Sequence, residues 1–102
     1  MDNVLSLLGL AYRANKLMFG ETCLDNMQKV KFLFIALDAS DKTKERYLRK
    51  CEYFKIPYTL KYSCEQLSTT LGKNTVKIVG ITDKGFKDSL IKKLEAKEGL
   101  NG

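Results

Sequence analysis

Two short loops carry the side chains best suited to chemistry. Gly20-Glu21-Thr22 sets a carboxylate and a hydroxyl at a predicted helix start, shortly after Lys16 and just ahead of Asn26. Gly72-Lys73-Asn74-Thr75 gathers a second small, basic and polar turn. The amides that open a helix lack partners inside it, so they and lysines hold phosphates, while a carboxylate or an Asn amide reads base edges. The same residues also make two ordinary solvated turns, and composition alone leaves that alternative open.

Other candidates are weaker. Asp38 and Asp41 follow an apolar run, the place where phosphate-handling α/β domains hold Mg²⁺. Capping preferences favour a role for them as acceptors at a helix start. Cys23 lies near a predicted helix N-terminus, which lowers a thiol pKa, but it shares an apolar face with Leu24 and Met27. Cys23, Cys51 and Cys64 are odd in number, with no CxxC and no histidine in the chain, which disfavours a metal site. All three are expected to pack as small apolar side chains in a reducing compartment. With no GxGxxG, P-loop, GxSxG elbow or histidine base, neither an enzyme nor a cofactor is expected.

The elements that position these loops are legible from periodicity. Phe32-Leu33-Phe34-Ile35-Ala36-Leu37 is apolar without alternation, a strand covered on both faces, and Asp38 to Asp41 then cap a helix. That helix carries Tyr47, Leu48, Cys51 and Phe54 as its inner stripe and ends at Ile56-Pro57. Before it come a helix capped by Asp2 or Asn3, with Val4, Leu5, Leu8 and Ala11 inward and Leu7 and Leu10 widening the stripe, then a short strand at Lys16 to Phe19. After it, Tyr58, Leu60 and Tyr62 alternate as a half-exposed strand, and Ser63 with Gln66 has capping-box spacing for a helix that stops at Gly72. Val76 to Ile81 is a second central strand, and Thr82 or Asp83 caps a last helix facing inward through Phe86, Leu90, Ile91 and Leu94. Alternating helices and strands predict a three-layer α/β/α sandwich around a four-stranded mixed sheet. One domain is expected over 1–98, with 99–102 fraying.

The chain has 102 residues and a net charge of +6, from 18 basic and 12 acidic side chains. Nucleic acid is therefore a live partner, although many small domains carry as much charge. The N-terminus lacks signal-peptide features, and no apolar run approaches the roughly 20 residues that span a bilayer. A cytoplasmic location is expected.

Several segments together resemble a known family. Leu8-Gly9-Leu10-Ala11-Tyr12-Arg13-Ala14-Asn15-Lys16, Gly20-Glu21, Ala36-Leu37-Asp38-Ala39-Ser40 and Lys50-Cys51-Glu52-Tyr53-Phe54-Lys55-Ile56-Pro57 stand in its order and spacing. Leu67, Gly72-Lys73 and Val79-Gly80-Ile81-Thr82-Asp83-Lys84-Gly85-Phe86 complete the pattern. It is similar to the bacterial YlxQ-like branch of the large-subunit ribosomal protein seven-Ae and thirty-e family. The resemblance implies an α/β/α sandwich that binds structured RNA, typically a kink-turn, without cofactor or catalysis. It implies a first contact segment of Lys16, Gly20, Glu21, Thr22 and Asn26, and a second of Gly72, Lys73, Asn74 and Thr75. Better-studied members carry Asn, Glu and Lys two, three and six residues after the glycine, where this chain has Thr22, Cys23 and Asn26. Its segment from Gly20 to Lys31 is also about one helical turn shorter. The resemblance thus implies ribosomal or other structured RNA as the partner, with a weakened recognition motif. Two rivals share the fold: a module that docks an acidic protein on the basic helix 41–55, and a phosphate-handling enzyme using Asp38 and Asp41.

Overall fold

The computed structural model describes residues 2–98, with side chains through Leu94; the predicted fraying of 99–102 lies outside the described residues. In chain order the elements are α1 (Asn3–Arg13), β1 (Leu17–Phe19), α2 (Glu21–Asp25), a 3₁₀ turn (Met27–Lys29), β2 (Phe32–Ile35), α3 (Asp41–Phe54), β3 (Tyr58–Thr59), α4 (Cys64–Leu71), β4 (Ile78–Ile81) and α5 (Lys84–Glu98). The sheet has four strands in the order β1-β4-β2-β3. β4 is antiparallel to both neighbours, setting Leu17 against Ile81 on one side and Leu33 against Gly80 on the other. β3 lies parallel to β2 at the far edge, a pairing that requires the crossover helix α3 between them.

Successive strand residues point to opposite faces, and here both faces are covered. Phe32, Phe34, Val79 and Ile81 pack under α1, α4 and α5, with Leu8, Leu67 and Leu90 fully buried among them. Leu33, Ile35 and Ile78 pack under α2, the 3₁₀ turn and α3, against Cys23, Met27, Tyr47 and Cys51. That is why β2 and β4 are apolar at every position, and why the sandwich predicted from the sequence is the one that forms. Gly80 is part of the second packing. A Cβ there would lie 3.1 Å from Cys23 Sγ and 3.2 Å from a Val30 methyl, so the strand stays bare where α2 settles on it.

Side chains fix most helix ends. The Asp2 carboxylate accepts from the Val4 and Leu5 amides at 2.8 and 3.2 Å, and Ser40 Oγ accepts from Thr43 N. Ser63 and Gln66 form the predicted capping box on α4, and Asp83 accepts from Phe86 N at 2.9 Å. α1, α3 and α4 then stop in the same way, with Asn15, Lys55 and Gly72 in the left-handed region at φ 61°, 57° and 65°. In each, the following amide reaches back to the last turn: Lys16 N to Ala11 O, Ile56 N to Cys51 O and Lys73 N to Ser68 O.

Four expectations need correction. Leu10 does not join the buried stripe of α1 but is 47% exposed, because the inner face is already filled by Val4, Leu8 and Ala11. Leu37 is 50% exposed: the strand ends at Ile35, and a turn closed by Ala39 N on Ala36 O swings Leu37 outward. Phe54, assigned to the inner stripe of α3, is also partly exposed at the last turn of that helix. The alternating strand from Tyr58 to Tyr62 shrinks to Tyr58–Thr59. Lys61 N turns onto Thr59 Oγ1, Tyr58 faces solvent, and Tyr62 is buried with its hydroxyl 3.1 Å from the Asp2 carboxylate.

Candidate nucleic-acid interface

β1 ends in Phe19, and the chain must reverse at once to lay α2 over the second face of the sheet. Gly20 makes that reversal at φ 57° and ψ −139°, a conformation closed to residues with a Cβ, while its amide donates to Ile78 O. This bond ties the turn to the start of β4, where the second loop arrives. α4 delivers that loop through Gly72, and Ser68 holds it twice: its carbonyl takes Lys73 N at 3.0 Å and its hydroxyl takes Val76 N at 2.8 Å. Ser68 is thereby both buried and satisfied.

The two loops meet. Lys73 Nζ stands 4.8 Å from the centre of the Phe19 ring and 5.8 Å from that of Tyr12, which themselves pack edge to face. Aromatic faces attract a cation, so this pair seats the ammonium beside Gly20 while Lys73 stays exposed. An open groove of about 370 Å³ results, lined by Phe19, Gly20, Lys73, Thr75, Lys77 and their neighbours. On the other side of the same loop lies a groove of about 530 Å³ whose lining includes Asp38, Cys64, Glu65, Gly72, Lys73 and Asn74. Gly72 to Thr75 is thus a wall between two shallow grooves, with its basic side chain held against the first.

The remaining predicted residues divide. Glu21 and Thr22 are exposed directly after Gly20, and the Glu21 carboxylate reaches Arg46 of α3 at 3.9 Å. Asn26 turns its amide back on its own helix, donating to Thr22 O at 2.9 Å, and so ends α2 after five residues. Lys16 stands at the opposite end of β1. Four strand steps put it about 13 Å from Gly20, farther than a lysine side chain spans. Its carbonyl accepts from both Thr82 N and Thr82 Oγ1, which fixes that end of the strand rather than the groove.

The alternative chemistries find little support in the geometry. Asp38 caps α4 rather than the helix that follows it, accepting from Cys64 N at 2.8 Å, and Ser40 takes the cap of α3. Among the described residues no three His, Cys, Asp or Glu side chains converge. Cys23 is fully buried, donates to Met18 O at 3.4 Å, and has its thiol pushed up to about 11 by burial, the reverse of helix-terminal activation. Burial, then the neighbouring Cys23, raises Cys51 to about 11 as well. Cys64 departs from the expected burial: it is only half-buried and lines the larger groove.

The sequence hid two parts of the site. These are Tyr12, at the end of α1, and Ser68, within α4. An aromatic beside the predicted strand end and a serine four residues before the stop glycine were the available signals, and neither is specific.

No protein-family model matches the chain. It is 36% identical over 92 residues to "RNA-binding protein YlxQ" of Bacillus subtilis (strain 168), an alignment covering 87% of this chain and 92% of that protein. "RNA-binding protein YlxQ" of Enterococcus faecium is 39% identical over 88 residues, with 83% and 84% covered. Among solved structures, a protein of unknown function from Bacillus halodurans superposes with a TM-score of 0.85 at 31% identity, covering 93% of this chain and 99% of that one. The Giardia lamblia 15.5kD RNA binding protein reaches a TM-score of 0.76 at 19% identity, covering 96% and 87%, a likeness of fold alone.

Proposed function

We propose that this chain, which belongs to the family of the bacterial RNA-binding protein YlxQ, binds structured RNA of the kink-turn kind across the groove between Gly20 and the loop 72–75. The observation that carries this reading is the seat of Lys73. A basic side chain held over Phe19 and Tyr12, beside the bare backbone of Gly20, presents positive charge to a phosphate at a place where the chain can be closely approached. Thr75 adds a hydroxyl in the same groove, while Thr22 on α2 and Asn74 on the far side of the loop offer further exposed polar groups for base edges and sugars. We read the protein as a cytoplasmic, non-catalytic partner of ribosomal or other structured RNA. Three unpaired thiols agree with a reducing compartment.

Titration of the protein with a kink-turn RNA and with a plain duplex tests this. Lys73→Ala should weaken kink-turn binding and lower the slope of log affinity against log salt by about 0.7 to 0.9. Lys44→Ala, on the side of α3 turned towards the core, should leave both nearly unchanged. Equal binding of kink-turn and duplex, or indifference to Lys73, would refute the assignment.

The recognition motif should be weak. Thr22 offers one hydroxyl where an Asn would offer an amide, and the Asn26 amide is committed to Thr22 O. One lost bidentate base contact costs roughly 1–3 kcal/mol, about 5- to 150-fold in affinity. Thr22→Asn with Asn26→Lys should recover part of the loss. If the unmodified protein binds in the nanomolar range and the double change adds nothing, Glu21 and the second loop suffice.

A further inference from the structure

Helix α3 turns one arc to solvent that neither the core nor the groove uses. Lys42, Arg46, Arg49 and Tyr53 recur at intervals of four, three and four residues, so they stack along a single line, with Lys50 beside it. The acids of this helix avoid that line. Glu45 and Glu52 fall on the flank towards Tyr58, and Glu45 already faces Arg49 at 4.0 Å. Tyr53 ends the arc 78% exposed, packed edge to face on Phe54 at 4.9 Å and contributing little to the core. Arg46 meets Glu21 at 3.9 Å, so the arc passes beside the residue that follows Gly20 at the rim of the proposed RNA groove. That pair is too exposed to hold the guanidinium firmly. Seven helical residues then carry the line about 10 Å from Arg46 to Tyr53.

We propose that this arc is a second RNA contact, a track for a single-stranded segment that leaves the groove at Gly20. Arg46 and Lys50 take its phosphates, and an unpaired base stacks on Tyr53. A basic line ending in a free aromatic ring is the combination that single strands require. A second copy of this chain is a poor occupant, since it would bring one predominantly basic arc against another on a chain of net charge +6. The inference rests on the RNA-binding reading for the class of partner, but it uses none of the groove residues.

Two RNAs of the same kink-turn sequence separate the two ideas, one blunt and one extended by a single-stranded tail of about eight nucleotides. The protein should bind the tailed RNA more tightly than the blunt one. Tyr53→Ala should weaken the tailed complex about tenfold while leaving the blunt complex and the thermal midpoint unchanged, and Tyr53→Phe should keep the full affinity. Lys50→Glu should act in the same direction. Equal affinity for the two RNAs, or a Tyr53→Ala effect shared by both, overturns the track while leaving the groove reading intact. Tail-dependent binding that survives when blunt RNA fails to bind supports the track and refutes the groove. An acidic peptide that binds the protein and loses affinity on Lys50→Glu, with tailed RNA unaffected, makes the arc a protein-docking surface and overturns the inference.

Discussion

α2 starts from Gly20 on one side of the groove, α4 ends in the loop on the other, and the two helices are held by opposite means. α4 is nearly self-sufficient, with a capping box at its start, a left-handed glycine at its end and Leu67 fully buried beneath its middle. α2 has no side-chain cap on Gly20, spans five residues and is ended by its own Asn26. It holds its place through Cys23, fitted over the bare Cα of Gly80, and its exposed ion pair to α3 adds little. Loop 72–75 is therefore fixed before any ligand arrives, whereas Glu21 and Thr22 ride on the less stable support. One half of the proposed interface is preorganised and the other can adjust.

The sharpest test of this asymmetry is Leu67→Ala, which should cost about 2–5 kcal/mol in urea unfolding because it hollows the core beneath α4. The counterpart on the α2 side is chemical. Cys23 and Cys51 have thiols raised to about 11 from 9.0, so the unfolded chain loses these protons first as pH climbs. Their contribution is complete below pH 9 and is lost between about 9 and 11, at up to about 1.4 kcal/mol per pH unit for each thiol. Alkaline urea titrations should show that slope, and Cys51→Ala should reduce it. Native-state labelling should modify Cys64 quickly and the other two only on unfolding; rapid labelling of Cys23 would mean that α2 opens freely.

The glycines come next. Gly20→Ala forces a residue with a Cβ to φ 57°, ψ −139° and should cost about 1–3 kcal/mol. Gly72→Ala, in the left-handed helical region at φ 65°, ψ 31°, should cost about 1 kcal/mol and Gly72→Asn less. A larger penalty at Gly72 would invert the comparison. Ser63→Ala should remove about 1 kcal/mol from α4, seen as earlier amide exchange in that helix. Asn26→Ala, which breaks one exposed hydrogen bond, should cost only a few tenths.

The sequence disclosed whatever depends on local pattern. Two unbroken apolar strands, the capping box of Ser63 and Gln66, and the stop at Gly72 all follow from spacing, and the sandwich follows from them. It was silent wherever the outcome depends on residues far apart in the chain. Asp38 sits beside α3 in sequence but serves α4, because the turn after β2 brings its carboxylate to Cys64 N. Lys16 is near Gly20 in number but stands at the other end of β1, since an extended strand converts four residues into about 13 Å. Lys73 meets Phe19 and Tyr12 only because β4 carries its loop back to β1.

The strand order also sets a clock. β1 and β2 never touch; each pairs with β4, which follows β2 in the chain after about forty residues. At about 5–20 residues per second, a ribosome takes several seconds to make that stretch. Throughout this interval the apolar edges of Leu17 to Phe19 and Phe32 to Ile35 have no antiparallel neighbour, and the seat of Lys73 does not yet exist. Folding must wait for its middle strand. The nascent chain is most open to misassembly just before Ile78 to Ile81 emerge, and the proposed groove forms only once they have inserted.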